Sequence, residues 1–237
     1  MRARTIFALL IPVACAGVFV RLGMWQLDRH QERVALNSGL AARLGAAPVP
    51  LGTLASDTMN VRWTAVEVSG RFRYDLEQVH AGRSSNGSPG VHLITPLERP
   101  DNDTLVIVTR GWVYAPDAAT AELARWREQD SVTIAGYLSP LIPDGPPPPE
   151  DPALPLRSSH RVALEARIGR PIAPVQIVMT SDSAARIDSV PRRLPPPIID
   201  NGPHRSYAAQ WFAFALIAVV GGGALFRKSI VAERSRG

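Results

Sequence analysis

His204, Tyr207 and Trp211 stand at i, i+3 and i+7 in NGPHRSYAAQWF (Asn201 to Phe212), so on a helix they share one face. A neutral imidazole at the mouth of an apolar segment, facing another helix, is a candidate ligand for a metal or for haem iron. Pro203 fits the first turn of such a helix, where its missing N–H costs no bond. A second stretch, LGMWQLDRHQER (Leu22 to Arg33), has matching geometry. Leu22, Gln26, Arg29 and Arg33 lie at i, i+4, i+7 and i+11, and Arg29 is within reach of the Trp25 ring. Gln26 is the unusual member, because an amide near a membrane needs a partner and turns to another helix or a ligand rather than to lipid. Both stretches also suit plain anchoring, with Trp and Tyr at the interface and Arg at the headgroups. Spacing alone leaves the two readings open.

The elements that must carry these residues are apolar segments at the two ends of the 237-residue chain. Thr5 to Val20 is uncharged, and a helix continued through Leu27 covers 23 residues. That is roughly 34 Å, enough for a hydrocarbon core of about 30 Å with Arg21 snorkelling. Tyr207 to Phe226 runs 20 residues without a charge. Ala14-Cys15-Ala16 behind Arg2 and Arg4 also resembles a signal-peptide cleavage site, so a processed N-terminus is the alternative for the first segment. A lipoprotein box is excluded by Pro12, which stands where a bulky aliphatic residue is required.

Charge sets the expected orientation. Outside the two spans, Arg2, Arg4, Arg227, Lys228, Arg234 and Arg236 face the single acid Glu233, which accounts for the whole net charge of +5. The stretch from Arg21 to Ser206 is neutral. The positive-inside tendency puts both termini in the cytoplasm and the middle outside. The resulting division is a cytoplasmic 1–4, a first span over 5–27, an extracytoplasmic domain over 28–203, a second span over 204–226 and a basic tail over 227–237. One lysine against 25 arginines points to a GC-rich bacterium and hence to the bacterial inner membrane. No basic stripe with interleaved aromatics marks the middle, so nucleic acid is not an expected partner. Cys15, the one cysteine, falls within the first span and leaves the outer domain without disulfide or thiol chemistry.

Between the spans, 62–72, 78–82, 90–97, 104–113, 132–138 and 174–180 are short and rich in Val, Ile, Thr and aromatics, as strands are. Arg99 to Asp103 is turn chemistry joining two of them as a hairpin. Ala118 to Glu128, behind Pro116-Asp117, reads as a helix, and Arg161 to Ile168 as a shorter one. Pro143 to Pro155 reads as an exposed polyproline loop and Arg192 to Pro197 as a stiff spacer. The expected fold class is α+β: two transmembrane helices flanking a mainly antiparallel β-sheet domain with one or two short helices.

That outer domain carries no enzyme signature. The five histidines show neither HExxH nor a paired zinc spacing, and GxSxG, GxxxxGK[ST] and GxGxxG are absent. Catalysis is therefore not expected of it.

The motifs in order carry a resemblance. LGMWQLDR after a first span, GRF, an Arg-bearing hairpin loop, GVHLITPL, a strand ending in TRGWV, and HRSYAAQWF entering a second span resemble the Surfeit-locus protein one (Shy-one) family from Leu22 to Phe214. The resemblance marks Trp25, Gln26, Arg29, Gly70, Arg83, Pro96, Arg110, Gly111, Trp112, Tyr207 and Trp211. It implies an assembly factor for haem-copper cytochrome oxidase that binds haem a between its helices and assists insertion into the large oxidase subunit. Its partners would be that subunit and other biogenesis factors, with His204 at the position proposed to ligate the haem iron. By charge, Arg29 or Arg110 suits the haem propionates. The chain departs from the family pattern at Asn201-Gly202-Pro203, in place of an Asn-rich approach to the histidine, and in the Pro143 to Pro155 tract. The alternative is an interaction factor that stabilises oxidase subunits without haem, through an outer domain bearing Trp63, Trp112 and Trp126.

Overall fold

The computed structural model describes residues 3–53, 61–142, 154–180 and 190–234. The proline tract lies outside the described residues apart from Leu154 and Pro155, as do the extreme ends of both termini. The chain divides into two compact units, 1–39 with 199–237, and 40–198.

The first unit is a pair of helices, α1 (Ala3–Gly45) and α3 (His204–Arg234). Both are long and apolar enough to cross a membrane, and only 11% of the most apolar window of each is buried. Apolar side chains left uncovered over that length fit lipid rather than water as their surroundings, so this is a membrane protein. The helices run antiparallel: Pro12 lies against Gly222, Phe19 against Trp211, and Gln26 against His204. Small residues make the close approach. A Cβ on Gly23 would stand 2.6 Å from the Phe212 ring, and Ala16, Ala208 and Ala215 are buried in the seam. The helix α1 continues past Leu27 to Gly45. Residues 28–44 are mostly good helix formers, Arg29 pairs with Glu32 at 2.7 Å one turn on, and no proline intervenes before Pro48.

The second unit is a seven-stranded mixed sheet of β1 (Val49–Pro50), β2 (Ala65–Phe72), β3 (Gln78–Ser85), β4 (Ser88–Arg99), β5 (Asn102–Tyr114), β6 (Ser131–Pro140) and β7 (Ile172–Met179). Its order is β1-β2-β6-β7-β5-β4-β3, and β2 also pairs β4 through Arg71 with Glu98 and Phe72 with Leu97. Five strands thereby close on themselves. Val66, Val68, Phe72, Leu97, Val106, Val108, Ile134, Leu138 and Ile177 fill the interior. Ile94, Leu105, Ile107 and Ile172 face outward under α2 (Arg161–Ile168), where Leu156, Leu164 and Ile168 cover them. Most neighbours are antiparallel, as expected, but β1 pairs β2 and β5 pairs β7 in parallel.

The expected helix over Ala118 to Glu128 is not formed; a single 3-10 turn, Leu123–Trp126, stands in its place. Asp117 Oδ1 accepts the N–H groups of Ala119 and Thr120 at 3.0 Å, and Ala118 sits at φ +52°. Such side-chain capture of backbone donors competes with helix formation. Further on, Tyr74 Oη accepts Glu128 N–H at 2.9 Å, which holds that segment extended.

Candidate functional site between two helices

His204 opens α3, and its Nδ1 donates to Gln26 Oε1 of α1 at 2.9 Å. The amide oxygen only accepts, so in a neutral ring this contact places the proton on Nδ1 and a lone pair on Nε2, the arrangement a ligand histidine needs. Gly202, at φ +71°, supports this geometry from the preceding turn. A Cβ there would press to 3.3 Å from His204 Cδ2 and 3.4 Å from Nε2. Glycine adopts that φ without strain and keeps the ring edge clear. The turn is held by Gly202 N–H donating to Asp200 Oδ1 at 2.9 Å.

One helical stretch further along α3, Trp211 stacks on Phe19 with centroids 5.8 Å apart and meets Phe214 edge-on at 5.9 Å. Trp25 and Tyr207 are both about half exposed. The Arg29 guanidinium lies 5.9 Å from the Trp25 ring centre and pairs with exposed Glu32, a contact that water and salt readily exchange. His204, Gln26, Trp25, Arg29, Tyr207 and Trp211 thus belong to one helix pair, with His204 and Gln26 in direct contact.

Arg110 belongs to the other unit and is fully buried. Its Nη2 meets Glu77 at 2.5 Å, Nη1 meets Glu128 at 2.9 Å and Trp126 O at 2.6 Å, and Nε donates to Thr95 Oγ1 at 2.8 Å. Arg193 adds a second cation on Glu128 and donates to Arg110 O at 2.8 Å. These donors are committed to protein acceptors. Gly111, at φ +154°, lets the 191–192 backbone run against β5, where Trp112 and Arg192 exchange N–H and C=O bonds at 2.8 Å.

Comparison with known proteins supplies the family. The SURF1 family model matches residues 13–216, most of the chain. The chain belongs to the SURF1 family. An uncharacterised SURF1-like protein of Mycobacterium bovis is 25% identical over 223 residues, covering 91% of this chain and 80% of the relative. The Surfeit locus protein 1 of Mus musculus is 26% identical over 161 residues, 60% of this chain and 51% of the relative. A SURF1-like protein of Monosiga brevicollis is 28% identical over 153 residues, 58% and 57% respectively. The chain thus spans about half the length of the mouse and Monosiga relatives.

In this SURF1-family chain the structure adds Asn37, which spacing did not single out, and gives Arg33, which spacing did, a partner. Asn37 Nδ2 donates to Asp200 O at 3.0 Å and to Asn201 Oδ1 at 2.8 Å, and Arg33 Nε reaches Asp200 O at 3.3 Å. These bonds tie the loop before His204 to α1. Asn37 lies eleven residues after Gln26 on the same helix face, a signal that appears once the helix is extended past the membrane. Among the described residues no group of three or more His, Cys, Asp or Glu could hold a metal ion.

Proposed function

We propose that this protein is a membrane-anchored assembly factor for haem-copper cytochrome oxidase that receives haem a against its helix pair and assists its insertion into the large oxidase subunit. The reading joins the family to one observation: Gln26 Oε1 lies 2.9 Å from His204 Nδ1, an acceptor that would fix the ring proton there and leave Nε2 to a ligand. His204 would hold the iron, and Trp25, Tyr207 and Trp211 would offer ring faces to the macrocycle. Arg29, exposed and paired with Glu32 among the described residues, would meet a propionate. Arg110 is left out of that set because Glu77 and Glu128 take its charge. Phe212 fills the seam at Gly23, so the macrocycle would meet His204 from the open side of the pair. When bound, the haem would supply a redox-active iron for His204 to hold; the chain's part would be to bind, orient and release it.

The orientation belongs to the same proposal. Antiparallel helices bring both chain ends to one side, and the basic excess at those ends favours the cytoplasm for 1–4 and 227–237, with 28–203 outside. Spans over 5–27 and 204–226 in a bacterial inner membrane complete it.

Gln26→Leu tests the carrying observation. Protein purified from cells that make haem a should lose most of its haem in this variant and in His204→Ala, while Gln26→Glu, which keeps an acceptor, retains it. Equal haem content in Gln26→Leu and wild type removes the support for the ligand geometry. Haem-free wild type that still co-purifies with oxidase subunits favours the interaction-factor reading.

A further inference from the structure

The arginines that stiffen the sheet unit are matched to acids. Arg110 faces Glu77 and Glu128, Arg73 faces Asp75, Arg170 faces Glu98, and Arg193 faces Glu128. Arg83 on β3 is different. It is half-buried, no carboxylate pairs with it among the described residues, and its Nε is buried without an acceptor. Burial holds its pKa below the usual value with no acid acting in the other direction. A guanidinium partly withdrawn from water, with no carboxylate beside it among the described residues, is costly unless something external supplies a counter-charge.

What surrounds Arg83 adds to the need. Its Nη2 contacts the ring of buried His80, whose Nδ1 lies 3.5 Å from Ser159 Oγ. His92, opposite His80 in the β3–β4 register, stands edge-on to it at 6.5 Å between ring centres. Burial first, then Arg83 and His80, push His92 down to about 4, so it is neutral near pH 7 and able to donate one N–H. Trp112, opposite His92 on β5, lays its indole over Gly90 and donates to Arg83 O at 3.2 Å. The β3–β4 bulge between His80 and Arg83, with Gly82 at φ +67°, turns Arg83 to the side of His80. Cationic and neutral donors therefore converge on one corner of the sheet with a hydroxyl beside them.

We propose that Arg83, His80 and His92, with Ser159, form an oxyanion site that takes a carboxylate or phosphate group. The guanidinium supplies the charge, the neutral His92 a directed N–H, and Ser159 a hydroxyl donor. The site lies in the sheet unit and does not depend on the haem reading of His204. Its ligand chemistry is that of a small oxyanion, or of the carboxylate or phosphate end of a larger molecule.

The test uses the full chain in detergent micelles. Sodium phosphate and sodium acetate are each titrated against sodium chloride at matched ionic strength, following the His92 imidazole and Trp112 indole resonances. Saturable shifts with phosphate or acetate, absent with chloride, are expected, and which anion saturates identifies the group. Arg83→Gln should weaken the response about tenfold or more, the loss of one charge-assisted contact, while Arg71→Gln, at an exposed pair with Asp130, leaves it unchanged. Arg83→Lys, which keeps the charge, should retain part of it and guards against misfolding of the glutamine variant. Shifts that match chloride in the wild type, or a folded Arg83→Gln protein that binds as the wild type does, overturn the proposal.

Discussion

The amide of Gln26 and the imidazole of His204 meet 178 residues apart in sequence, and each explains why the other is there. A polar side chain in a helix seam needs a partner, and the iron-ligand role proposed for His204 would need its other nitrogen fixed. At Arg110 buried charge is handled by pairing. Arg110→Met should destabilise the sheet unit by about 3–5 kcal/mol in urea unfolding, because Glu77 and Glu128 lose their shared cation. His92 gives a pH dependence with a definite sign. Its folded pKa of about 4 lies below the ordinary 6.5, so the unfolded chain binds the proton first. Stability should therefore be full above about pH 6.5 and fall as pH drops toward 4, by up to ~3 kcal/mol. His92→Gln should flatten that part of the curve, measured as unfolding free energy against pH.

The elements divide into those that local pattern dictates and those that distant contacts impose. The two apolar helices, the β4–β5 hairpin around Pro100-Asp101 and the short helix Arg161–Ile168 are all readable from composition, turn residues and periodicity. The closure of β2 on β4 rests on only two residue pairs, and the parallel pairing of β5 with β7 joins segments some seventy residues apart; neither leaves a local trace. Ala118 to Glu128 looks helical by spacing, but Asp117, Tyr74 and Arg110 bind its backbone instead. At the site, helical spacing shows that Gln26 and Arg29 share a face and that His204 and Trp211 do. It carries no information on which residue faces which across the pair, and Asn37 escapes notice because the expected span stops at Leu27. The close seam is itself testable. Gly23→Leu should force its side chain into the Phe212 ring and cost about 1–3 kcal/mol. Thermal unfolding in detergent should fall accordingly, while the His92 resonance in the sheet unit stays where it was.

Across the whole molecule, the distribution of charge and the antiparallel helices support the proposed orientation. In a Cys15→Ser background, an impermeant maleimide applied to spheroplasts should label Ser131→Cys at once and Ala232→Cys only after permeabilisation. The opposite pattern reverses the orientation and would put His204 on the cytoplasmic side. The central claim is that His204 Nε2 is an iron ligand, and the optical spectrum of the full-length protein purified from cells making haem a tests it most directly. The wild type is expected to carry haem a with a Soret band that His204→Ala loses or shifts, together with most of the bound haem. An unchanged spectrum and haem content in folded His204→Ala would contradict the account.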